Sequence, residues 1–174
     1  MSARLPEIEP VHAGDVFAIP VDGQRAYIGQ VVATTVGSLY VVVFDWIEKD
    51  LAHIPHISAV PDADPLFATL TLDSRFRPGM WSVVGHADAD ADRFLPAFSY
   101  GTIDPGRVRI TNLFDTVHRD ATPDEAAAIP TREYRSPMRL EKAIRAREGL
   151  VPHLPSYDEM TYRPTPTSAS IFGS

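Results

Sequence analysis

Apolar and polar residues alternate along "GDVFAIPVDGQRAYIGQVV", Gly14 to Val32, on both sides of an Asp-Gly pair. Alternation of period two marks a strand whose faces meet different surroundings, and Asp-Gly supplies the positive φ angles of a two-residue hairpin turn. The pattern predicts strands over Val16 to Val21 and Ala26 to Ala33, turned at Asp22-Gly23, with Gln24 and Arg25 able to lengthen the loop. Phe17, Ile19 and Val21 then share one face, and Gly29 in the return strand predicts a close strand approach or a bulge. "LYVVVFDWI", Leu39 to Ile47, is apolar without alternation, which predicts a strand buried on both faces at the centre of the sheet.

Further strands are predicted in "LFATLTLD" (Leu66 to Asp73), "MWSVVGH" (Met80 to His86) and "GRVRITNLF" (Gly106 to Phe114), giving about six by their β-branched alternation. Pro55, Pro61, Pro65, Arg77 to Gly79 and Asp104 to Gly106 punctuate them. Helix signals come only afterwards. Thr122, Pro123 and Glu125 compose a capping box whose helix Pro130 stops. Ser136 and Pro137 open a second helix that sets Leu140 and Ile144 one turn apart and reaches Gly149, a residue suited to a left-handed C-terminal position. The fold class is α+β, mainly β: a small barrel or strongly bent antiparallel sheet with a C-terminal helix.

Residues 1–12 read as an N-terminal extension, 13–160 as a single β-rich domain, and the Pro, Ser and Thr-rich 161–174 as a flexible tail with little to bury. At 174 residues, with 44% hydrophobic content, the chain can enclose a core of its own.

Charge and composition narrow the function. With 23 acidic against 16 basic residues the net charge is −7, which repels nucleic acid and attracts a cationic partner. The chain has no cysteine, so disulfides, thiolate catalysis and cysteine zinc sites are excluded. No secretory leader and no apolar run of membrane-spanning length is present, which makes the cytoplasm the expected compartment and a membrane an unexpected partner.

Among candidate sites, "HADADADR" sets Asp88, Asp90 and Asp92 at alternate positions like the opening of a calcium loop. Arg93 stands where the sharp turn needs Gly, and Ser99 where a bidentate Glu should close the site, so the run reads as a solvated acidic loop able to steer a cationic protein. His53 and His56 flank Pro55 and lack a third ligand nearby, while His12, His86, His118 and His153 are isolated. Neither a nucleophile elbow nor a phosphate loop or dinucleotide fingerprint occurs. No catalytic residue, metal or cofactor is assigned, and the protein reads as a non-enzyme. Trp46 stands between Asp45 and Glu48, with Asp50 close behind, a neighbourhood suited to a basic protein partner. The expected partner-binding residues are therefore Asp45, Trp46, Glu48, Asp50, Asp88, Asp90 and Asp92.

Gly14-Asp15-Val16-Phe17-Ala18-Ile19-Pro20, with Tyr27, Gly29 and Val31, then Gly79, Trp81, Val83-Val84-Gly85, Leu95-Pro96 and Phe98, resembles the immunity protein 26 family of bacterial polymorphic toxin systems. Ser136-Pro137, Leu140-Glu141, Ala143-Ile144, Gly149 and Tyr157-Asp158 extend the likeness to roughly Gly14 to Met160, while Gln30 and the acidic run depart from it. The resemblance implies a cytoplasmic antidote that binds a cognate toxin domain stoichiometrically and blocks it. Such toxins include cationic nucleases, whose basic clefts an acidic inhibitor would suit. Two other readings remain open: a small-barrel endoribonuclease toxin, which the negative charge disfavours, and a non-catalytic intracellular adaptor.

Overall fold

The computed structural model describes residues 6–101 and 107–173. The chain forms a mixed α/β structure in which strands outweigh helices and both sheets are antiparallel. It divides into two compact units, Met1–Ala89 with Tyr134–Tyr162, and Asp90–Glu133 with Arg163–Ser174, where the sequence suggests one domain over 13–160. The chain leaves the first sheet after His86 and rejoins it at Tyr134, which bridges to Leu70, so the intervening stretch builds a core of its own.

The first unit carries β1 (Asp15–Pro20), β2 (Ala26–Thr35), β3 (Ser38–Glu48), β4 (Pro65–Thr71) and β5 (Ser82–His86) in the order β4-β3-β2-β1-β5. The long apolar run is confirmed as buried on both faces from Leu39 to Phe44, but β2 holds the centre and β3 lies beside it. The barrel expectation is corrected, because β4 and β5 do not pair among the described residues. Two features keep the sheet open: β5 is only five residues long and bonds to β1, and the free side of β4 receives bridges from Tyr134 and Thr161.

Asp22-Gly23 is not a two-residue turn. Pro20 pairs with Ala26, and the intervening loop is closed by Val21 N–H donating to the Arg25 carbonyl. Asp22 supplies the geometry instead, its Oδ1 accepting from the backbone N–H groups of Gln24 and Arg25 at 2.8 Å each, so Gly23 needs no positive φ. Gly29 performs both roles foreseen for it. A Cβ there would lie 2.7 Å from the Phe17 ring and 3.0 Å from the Val42 carbonyl oxygen, and the β2–β3 register shifts between Tyr27 and Gly29.

Helix α3 (Pro137–Arg147) closes one face of this sheet. Ser136 caps it, and Leu140, Ala143 and Ile144 join Phe17, Ile19, Val21 and Trp81 in the core. It ends in a Schellman motif: Gly149, at φ 72°, donates to Ala146 O, and Leu150 donates to Arg145 O.

The second unit pairs β6 (Phe98–Tyr100), β7 (Arg109–Thr111) and β8 (His118–Asp120) in that order. It also holds α1 (Ala91–Phe94), α2 (Pro123–Ala128) and α4 (Ser168–Phe172). The capping box of α2 is present as predicted, whereas β6 and β8, three residues each, carry no pattern long enough to read. The turn predicted at Asp104 to Gly106 lies outside the described residues. The tail is not loose here: Thr167 caps α4, and Ile171 and Phe172 pack against Ala97, Ile110 and Ile129. Two apolar residues at its end give the Pro-rich segment something to bury.

Candidate functional site

Alternation at the end of β3 separates the residues that the sequence groups together. Ile47 pairs across the sheet with Tyr27, a member of the core under α3, and Asp45 Oδ1 lies 3.8 Å from Arg147 Nη2 at the end of α3. Trp46 and Glu48 therefore belong to the opposite face. The half-buried Trp46 indole donates to Glu48 Oε1 at 2.6 Å, which fixes the ring and occupies the carboxylate. Asp50 is exposed, its Oδ1 accepting from the Ala52 N–H at 3.0 Å.

Asp88, Asp90 and Asp92 are all exposed, and the boundary between the two units falls after Ala89, within the run. Asp90 is the N-cap of α1, accepting from the Arg93 N–H at 3.0 Å, and Asp92 lies in the first turn, where a carboxylate suits the helix dipole. The acidic stretch thus begins a short helix. No ion pair involves Asp50, Asp88, Asp90 or Asp92 among the described residues. Nor does any group of three His, Asp or Glu there have metal-holding geometry.

A polar network at the hairpin loop escapes sequence reasoning. Arg25 donates to Asp22 Oδ2 through Nε and to Glu148 Oε2 through Nη1, both at 2.9 Å, while the Tyr27 hydroxyl donates to Glu148 Oε1. Burial, then the neighbouring Glu148 carboxylate, pushes the Tyr27 hydroxyl up to about 12. Glu148 is held below the usual carboxylate range by the Tyr27 hydrogen bond first and by Arg25 second. Asp22 and Arg25 stand three apart, a visible local signal, but nothing in the sequence announces a partner in Glu148, the C-cap of α3. The network clamps the loop to the helix and leaves these carboxylates neutralised.

Near the start of β1, Asp15 faces two histidines, His86 Nδ1 at 3.3 Å and His12 Nδ1 at 3.8 Å. Buried Gln30 ties the same corner together through Nε2, donating to Ala87 O at 2.7 Å and Gly14 O at 3.3 Å. This corner is a strand junction, with both histidine rings largely in solvent.

The architecture thus defines a chain of two units, one with an open five-stranded antiparallel sheet packed on one helix, the other with a smaller three-stranded sheet. No protein-family model matches the chain, and neither the curated proteins nor the solved structures yield a significant match.

Proposed function

We propose that the chain is an antidote: an acidic binding protein that masks a cationic toxin domain by stoichiometric contact in the cytoplasm of the cell it protects. The observation that carries this reading is the set of exposed carboxylates on Asp50, Asp88, Asp90 and Asp92, which no cation neutralises among the described residues, on a chain of net charge −7. Unpaired surface acids cost self-repulsion and return association rate toward a basic partner. The domain-wide resemblance from Gly14 to Met160 supports the same reading. Asp45 and Glu48 contribute less, since Arg147 and the Trp46 indole already engage them. Trp46 serves as a half-buried anchor.

The test is a pull-down of the purified chain against the product of the gene immediately upstream, at low and high salt. Retention that weakens with salt is the expected result, because screening over about 10 Å at 0.1 M salt weakens exposed charge pairs. Absence of binding at either salt, together with growth arrest on expressing the chain alone, would overturn the proposal in favour of a nuclease.

A further inference from the structure

Residues 163–173 belong to the second unit, although Tyr134–Tyr162, which separates them in sequence from the rest of it, belongs to the first. Pro164 and Pro166 preset an extended backbone and carry no N–H that would need a partner. Thr167 bridges to Pro96 as an antiparallel pair, with the Ala97 N–H donating to Pro166 O at 3.4 Å and the Ser168 N–H to Leu95 O at 2.8 Å. Ser168 Oγ donates to Pro96 O at 2.7 Å and accepts from the Leu113 N–H at 3.2 Å.

Thr167 then caps α4, its Oγ1 accepting from the Ser170 N–H at 3.1 Å. On that helix Ile171 and Phe172 pack against the buried cluster of Ala97, Ile110 and Ile129, and the Arg119 guanidinium lies 5.6 Å from the centre of the Phe172 ring. Ala97 immediately precedes β6, Ile110 lies on β7, Arg119 on β8, and Leu113 in the connection between β7 and β8. The segment therefore engages all three parts of the small sheet.

That sheet has little else to hold it. Each of its strands is three residues long, and strands so few and short persist only when their apolar face is covered. None of the residues of α2 is buried, so that helix supplies no cover beyond Ile129 at its C-cap. Ile171 and Phe172 supply it instead. The first unit differs, because α3 brings Leu140, Ala143 and Ile144 to its own core.

We infer that residues 163–173 are a releasable strap on whose seating the second unit depends: strap and three-stranded sheet open together as one local unfolding unit, while the first unit stays folded. Whatever takes Ile171 and Phe172 from their cluster then unfolds the small sheet and spares the five-stranded one. The inference is independent of the antidote reading.

The test is native-state hydrogen exchange on the whole chain, followed by NMR at rising urea, with fluorescence of Trp46 and Trp81, both in the first unit, recorded alongside. The amides of Ala97, Leu113, Ser168 and Ile171, which bond to or within the strap, should converge on one opening event with those of Ser99 and Ile129. The amides of β2 should exchange at least about tenfold more slowly under the same conditions. Phe172→Ala and Ile171→Ala should each speed the event by about tenfold without moving the fluorescence midpoint. Ser168→Ala, which strands the Leu113 N–H, should speed it as well.

Exchange of the strap amides while Ser99 and Ile129 stay protected would overturn the inference, since the sheet would then stand without the strap. So would opening of every amide, β2 included, in one transition. Both results are read on the unaltered chain and hold whether or not a variant folds. Unchanged exchange in both alanine variants would overturn it too.

Discussion

The indole N–H of Trp81 donates to the Glu141 carboxylate at 2.8 Å, joining the start of β5 to the middle of α3. The ring itself is fully buried, stacked on Phe17 at 5.3 Å and edge-on to Phe76 at 5.4 Å, so its one polar atom has little choice of partner. Glu141 spends its other oxygen on Arg75 Nη2 at 2.9 Å. One carboxylate thus satisfies two donors that would otherwise be stranded beneath the helix.

Removing that acceptor should therefore cost more than an exposed ion pair would. Glu141→Ala is expected to destabilise the fold by about 1–3 kcal/mol, the usual penalty for a stranded buried donor, while Glu141→Gln, which keeps an acceptor for the indole, loses less. Urea unfolding followed by tryptophan fluorescence checks the order of the two variants.

Gly29→Ala should destabilise through overpacking. The added Cβ meets the Phe17 ring at 2.7 Å and backbone at 3.0 Å, and the expected loss is about 1–3 kcal/mol. Because the nearest atom is the tip of a ring, Phe17→Leu in the same chain should make the two losses less than additive. A double-mutant cycle from thermal melts reads this.

The capping box of α2 predicts an acid limb. Hydrogen bonds from Arg119 first, then from the Thr122 backbone, hold the Glu125 carboxyl down at about 2 against an ordinary 4.5. A carboxyl depressed on folding stabilises above its unfolded value and loses that contribution as pH falls from 4.5 toward 2. Glu125→Gln should therefore melt below the unaltered chain at pH 7 and approach it near pH 2, as measured by circular dichroism.

Tyr27 predicts the alkaline counterpart. Its hydroxyl, raised on folding from 10 to about 12, favours the folded chain fully below pH 10 and loses that effect as pH rises through 12. Spectrophotometric titration should show phenolate absorbance at pH 11 smaller in the unaltered folded chain than in its urea-unfolded form, and Tyr27→Phe should narrow that difference.

Local signals explain what was legible in the sequence. The Thr122 box, the Ser136-Pro137 start, the Gly149 stop and the packing of Gly29 each depend on residues a few positions apart or on one residue's shape, and each is realised. The chain turns at Asp22-Gly23 through the longer loop that Gln24 and Arg25 allow, for an equally local reason: the Asp22 side chain takes the backbone donors of Gln24 and Arg25. Barrel closure, the two-unit division and the Tyr27–Glu148 and Trp81–Glu141 bonds depend on pairings between distant residues, which no spacing encodes. Asp45 and Trp46 are neighbours in the sequence but stand on opposite faces of β3, because adjacent strand residues alternate, and a continuous apolar run carries no alternation from which to read the faces at its end.

Growth of cells expressing the upstream gene's product, with and without this chain, tests the central claim most directly. The antidote account predicts that the chain alone leaves growth unchanged and that co-expression restores growth the upstream product arrests. Growth arrest by the chain alone, with no protection on co-expression, would contradict it.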